Sequence, residues 1–108
     1  VNFFKKSHLD FEVSFSVISG AFGKAATSNV SMWERYVFVN LSKIWSYTKK
    51  AMIFNFQYTN SDESKISGDK IYYICLGRLS LFLETLGGSP SLIYDQALPD
   101  DVTILLRA

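Results

Sequence analysis

One cysteine, one histidine and two prolines in 108 residues remove several chemistries before any pattern is read. Cys75 alone excludes an internal disulfide and a multi-cysteine zinc site. It lies in the apolar stretch KIYYICLGRL, where a free thiol serves as a small buried hydrophobe. His8, the single imidazole, stands near Ser7 and Asp10, and pairing it with Cys75 as a catalytic couple has no further support in the chain. Charge is scarce as well. Only 19% of residues are charged, against about a quarter in typical domains. The solvent face must therefore be built from Ser, Asn and Thr, or part of it must be covered by something else. No apolar run approaches the length needed to span a bilayer. No charged head with an apolar run and a small-residue cleavage site opens the chain, and the expected location is cytoplasmic. Two glycosylation triplets, at Asn29 and Asn40, do not alter that expectation, because such triplets recur in Asn/Ser-rich sequence.

What is abundant is apolar mass. The chain is 48% hydrophobic and 16% aromatic, which excludes disorder, since disorder needs low hydrophobicity and high net charge. The length suits a single domain over 1–108 with a core that needs no staples. Net charge is +1, unevenly distributed. Residues 1–50 hold seven Lys or Arg against three Asp or Glu, a balance of +4, and residues 51–108 hold four against seven, a balance of −3.

Period-two alternation marks a first strand over 9–18, with Leu9, Phe11, Val13, Phe15 and Val17 on the core face and Asp10, Glu12, Ser14 and Ser16 opposite. Gly20 and Gly23 break it. Ser31 and Glu34 have capping-box spacing, which predicts a helix presenting Trp33, Val37, Leu41, Ile44 and Thr48 on one stripe and closed by Lys49 and Lys50. A strand over 36–39 is the competing reading. Residues 51–59 alternate again, with Met52, Phe54, Phe56 and Tyr58 facing one way, and KIYYICL reads as a third strand ending near Gly77. LSLFLETL reads as a short helix stopped by Gly87, Gly88 and Pro90, the alternative being one helix from 71 to 86. A loop carrying Pro90 and Pro99 then leads to a last strand in DVTILL. The order is β-α-β-β-α-β, which predicts an α+β domain with a four-stranded antiparallel sheet and two helices in the ferredoxin-like arrangement, or another small α+β sandwich with a different strand order.

Four constellations bear on function. Gly20, Gly23 and Lys24 follow a strand, where converging backbone amides and a lysine can hold an anion. A phosphate loop of the established kind would need Gly in place of Ile18 and Ser or Thr in place of Ala25, so an ordinary tight turn is the default. Ser46 and Lys49 match the serine–lysine spacing of some acyl enzymes, without the companion motifs. Glu63, Lys65, Asp69, Asp100 and Asp101 supply carboxylates and a lysine for a small carboxylate-dependent enzyme only if the fold gathers them. Phe54, Phe56 and Tyr58 form a possible aromatic face for single-stranded nucleic acid, with Lys5, Lys6, Lys24, Lys43, Lys49 and Lys50 as charge, although core packing is the default for three aromatics on one strand face. Strands that do not alternate need cover on both faces. KIYYICL and VTILL do not, which makes Tyr72, Ile74, Leu76 and Ile104 a possible interface. The leading expectation is therefore a non-catalytic protein-interaction or self-assembly module without cofactor or metal, with nucleic-acid binding second and the enzyme third.

Overall fold

The computed structural model describes residues 13–108, which form β1 (Val13–Ile18), α1 (Val30–Ser46), β2 (Thr48–Thr59), β3 (Lys65–Ile66), β4 (Tyr72–Cys75), α2 (Leu76–Leu86), β5 (Ser89–Asp95) and β6 (Leu98–Arg107). The first half of the first predicted strand, with His8 and the lysines at 5 and 6, lies outside the described residues.

β2 organises the sheet. Its twelve residues are long enough to take β1 and β4 one after the other along one edge, both parallel to it, while β6 runs antiparallel along the other. β3 extends the sheet beyond β4 and β5 beyond β6, giving the order β3-β4-β2-β6-β5 with β1 on β2. This overturns the four-stranded antiparallel, ferredoxin-like expectation: the sheet is six-stranded and mixed. The fold remains α+β. The 17-residue α1 returns the chain to the end of β2 from which a parallel partner of β1 must start, as a crossover connection requires. The missing strands have physical explanations. β3 has only two residues, too few to show a period. β5 contains Pro90, which marks a loop in the sequence, but it lies at the sheet edge, where a strand tolerates proline. Its turn is closed by Asp95, whose Oδ1 accepts the Ala97 amide at 2.8 Å.

α1 starts at Asn29, whose Oδ1 accepts the Met32 amide at 3.1 Å; the expected Ser31–Glu34 box does not form. No Gly or Pro interrupts residues 30–46, and Trp33, Val37, Leu41 and Ile44 face inward at the expected spacing. Lys49 and Lys50 belong to β2, not to the helix end. α2 begins directly at Leu76, so the third strand ends at Cys75 and Gly77 is helical.

The core lies between the helices and the even-numbered face of the sheet. Met52, Phe54, Phe56, Tyr72, Ile74, Val102, Ile104 and Leu106 are buried there with Leu79, Phe82 and Leu83 of α2. Full burial of an apolar side chain of this size contributes about 1.5–3 kcal/mol. β1 reverses its expected facing. Ser16 and Ile18 point into the core, while Phe15 and Val17 are 61% and 63% exposed. Ser16 is accommodated because its hydroxyl donates to Thr48 Oγ1 at 2.6 Å, and Thr48 in turn donates to the Ile44 carbonyl at 2.8 Å.

Candidate functional site

Two features stand apart from ordinary packing. The first is a polar cluster under the start of α2. Glu34, 3% exposed on the inner side of α1, accepts from three donors. Tyr72 Oη lies 2.7 Å from its Oε1, Ser64 Oγ donates to the same oxygen, and Arg78 Nε meets Oε2 at 2.5 Å. Ser64 Oγ also accepts the Cys75 amide at 2.8 Å. Burial, then the bond to Glu34, push the Tyr72 phenol well above the ordinary tyrosine range, and the bond to the carboxylate raises Arg78 further. With its oxygens occupied by three donors, Glu34 acts as a clamp joining α1, the 60–64 loop, β4 and α2. A 360 Å³ cleft opens beside it between Arg78 and the carboxylates of Asp62 and Glu63.

The second feature is the odd-numbered face of the sheet, which no helix among the described residues covers. In-register rows place Val17 beside Ile53 and Ile53 beside Leu105, while Phe15 lies beside Ala51. Ile93, 54% exposed, adds to the same face from β5 opposite Thr103. Around this apolar patch, Arg107 stands at one end of the strands, and Asp101 and Lys65 at the other.

The residues singled out by sequence fall elsewhere. Phe54 and Phe56 are 1% and 2% exposed in the core, with Tyr58 half-buried at its margin. Tyr72, Ile74 and Ile104 are fully buried beneath the helices, and Leu76 is half-buried at the start of α2. The open face thus carries the alternate positions of the same strands. The Gly20 amide donates to Asn55 Oδ1 at 2.9 Å and the Gly23 amide to the Gly20 carbonyl at 3.4 Å, so two amides of the anion-binding candidate are engaged internally, while Lys24 is exposed. Ser46 ends α1 with its hydroxyl on the Lys43 carbonyl, and Lys49 lies within β2. Among the described residues no group of three or more His, Cys, Asp or Glu is placed to hold a metal. No family model matches the chain, and no curated protein matches it.

Sequence reasoning missed both features. Glu34 was assigned to a helix cap, and nothing local connects it to Tyr72, 38 positions away. The open face was legible only as the failure of VTILL and KIYYICL to alternate.

Proposed function

We propose that the chain is a non-catalytic self-association module that packs its open sheet face against a second copy of itself. The observation that carries this reading is the inverted β1, which turns Phe15 and Val17 to solvent and Ser16 away from it. Apolar side chains at exposed sheet positions are stabilised when another surface removes them from water. A second copy fits because the face is self-complementary in charge. Under a two-fold axis across the strands, Arg107 of one copy meets Asp101 of the other, with Lys65 out on the edge strand β3. Two sheets packed in this way stand about 10 Å apart. Four strands make a face only about 20 Å wide, small beside the ~800 Å² per partner of a standard interface, so a dissociation constant in the micromolar range is expected.

Light scattering coupled to size exclusion tests this directly. The expected result is a mass near twice 12.3 kDa at high concentration, falling toward 12.3 kDa on dilution and for Val17→Asp. A folded monomer at all concentrations would overturn it.

Single-stranded nucleic acid is the second reading, favoured by one specific observation. Lys65 and Arg107 share the open face with the rings of Phe15 and Tyr73. Aromatic platforms ringed by basic groups hold single strands. Weighing against it, the central strands β2 and β6 offer aliphatic, amide and hydroxyl groups there instead of rings.

No helix among the described residues is long and apolar enough to cross a membrane. A cytoplasmic location is part of the same proposal, supported by the buried free thiol of Cys75. Asn29 caps α1 and the Asn40 amide donates to the Tyr36 carbonyl at 2.7 Å, so a glycan at either position would compete with an existing bond.

A further inference from the structure

β2 pairs with β6 only as far as Gln57, and beyond that point β2 continues beside β4 alone. The separation leaves a 460 Å³ cleft at the carboxyl end of β2, lined by Thr59 and by Tyr73 of β4. The volume lies within the ordinary range for small-molecule sites. Its walls differ in chemistry. On one side are the Tyr73 ring and Lys65, whose ammonium stands 5.1 Å from the ring centroid. On the other are Pro99 and Asp100 of β6, with Tyr58, Thr59 and Asn60 from the end of β2 between them. Tyr58 is held by an edge contact with Tyr94, centroids 5.5 Å apart. Among the described residues, the Asn60 amide and the Asp100 carboxylate have no partner within the protein.

A ring to stack on, an ammonium, and an acceptor-only carboxylate across the gap specify a ligand with a flat aromatic part, a negative group and a donor edge. We propose that this cleft binds a nucleotide whose base carries an exocyclic amine, such as guanine or cytosine, either free or at the end of a single strand. The base stacks on Tyr73. Asp100 accepts from the donor edge, as carboxylates do from the exocyclic amine of cytosine, and Lys65 neutralises the phosphate. Uracil lacks an exocyclic amine and offers Asp100 a single imino N–H flanked by two carbonyl oxygens that repel the carboxylate. Lys65 and Tyr73 belong to the open face, so a second copy packed there would compete for the site, and the titration is made at a concentration where the chain is monomeric.

Amide chemical-shift titration of the full chain with GMP, CMP and UMP, and with inorganic phosphate, tests the proposal. Saturable shifts are expected at Thr59, Lys65, Tyr73 and Asp100, with GMP and CMP binding about tenfold more tightly than UMP. Asp100→Asn, at an exposed position, is expected to erase that preference while leaving the rest of the spectrum in place. Lys65→Gln is expected to weaken all three nucleotides by a similar factor. A short oligonucleotide binding more than about tenfold tighter than its mononucleotide identifies a strand end as the source; equal affinity identifies the free nucleotide. Absence of saturable shifts at about 1 mM, UMP binding as tightly as GMP, or phosphate alone reproducing the shifts would each overturn it.

Discussion

Tyr72 donates its phenolic hydrogen to Glu34 Oε1 over 2.7 Å, joining residues 38 apart in sequence at a point where both side chains are buried. The same carboxylate receives Ser64 and Arg78, so one side chain sets the relative position of both helices, β4 and the loop before β3.

Replacing that carboxylate separates its two duties. Glu34→Ala leaves the Tyr72 hydroxyl and Ser64 Oγ without their acceptor in a buried place, at roughly 1–3 kcal/mol for each unsatisfied group. Glu34→Gln keeps an acceptor and loses chiefly the charge opposite Arg78, whose side chain is 56% exposed and whose ion pair is correspondingly screened. Urea denaturation is expected to place Glu34→Gln between wild type and Glu34→Ala, closer to wild type. Equal loss from both variants would mean that charge, not hydrogen-bond satisfaction, holds the cluster.

The raised Tyr72 phenol gives stability a definite dependence on alkaline pH. In the unfolded chain a tyrosine loses its proton near pH 10, whereas in the fold burial and the Glu34 bond retain it well beyond that. Above about pH 10 the unfolded state therefore binds fewer protons than the native state, and stability falls as pH rises. The contribution is fully present below pH 10 and is lost progressively above it. Melting temperature followed from pH 8 to 11.5 is expected to decline less steeply for Tyr72→Phe than for wild type. Parallel slopes would show that other groups account for the decline.

β1 offers a contrast between adjacent positions that the pattern of the sequence would rank the other way. Val17 is 63% exposed, and Val17→Ser is expected to change monomer stability by no more than about 0.5 kcal/mol. Ile18, 6% exposed, packs with Phe22 in the core cluster, and Ile18→Ala is expected to cost about 2–5 kcal/mol. Chemical denaturation at low protein concentration, where association makes no contribution, measures both. A larger loss at Val17 than at Ile18 would restore the facing that simple alternation suggests.

That inversion marks the limit of what the residues show on their own. Period two places Phe15 and Val17 on one face of a strand, but which face meets the core depends on the partner. Ser16 finds Thr48 inside only because the chain crosses over through α1 and pairs with β2 in parallel. The α1 stripe and the burial of Met52, Phe54 and Phe56 were legible because each rests on a local period with many repeats. β3 and β5 were not, since two residues carry no period and Pro90 reads as a breaker unless the strand is known to be an edge. Glu34 was visible as a polar residue in the first turns of a helix, where capping is the local explanation. Its actual partners come from β4, α2 and the 60–64 loop, which only the assembled fold brings to it. Lys65, Tyr73 and Asp100 meet for the same reason: β2 outlasts its pairing with β6.

The junction between α2 and β5 turns on two glycines that differ in what surrounds them. Gly87 and Gly88 both have positive φ, +73° and +88°, a region that costs an L-residue about 1–3 kcal/mol. At Gly87 an added Cβ meets nothing within 4 Å, so Gly87→Ala carries the backbone cost alone. At Gly88 it would stand 2.5 Å from the Arg107 carbonyl oxygen and 3.2 Å from Trp45 Cζ2. The carbonyl belongs to the last residue of β6, which pairs with Ser89, so relief requires the β5–β6 ladder to shift where it begins. The Trp45 ring has little room to move, because its Nε1 donates to the Leu86 carbonyl at 3.0 Å. Gly88→Ala is therefore expected to be less stable than Gly87→Ala by about 1–3 kcal/mol, the usual cost of overpacking. Thermal and urea denaturation of the two variants side by side measure the difference, and equal losses would mean that backbone conformation alone selects glycine at both positions.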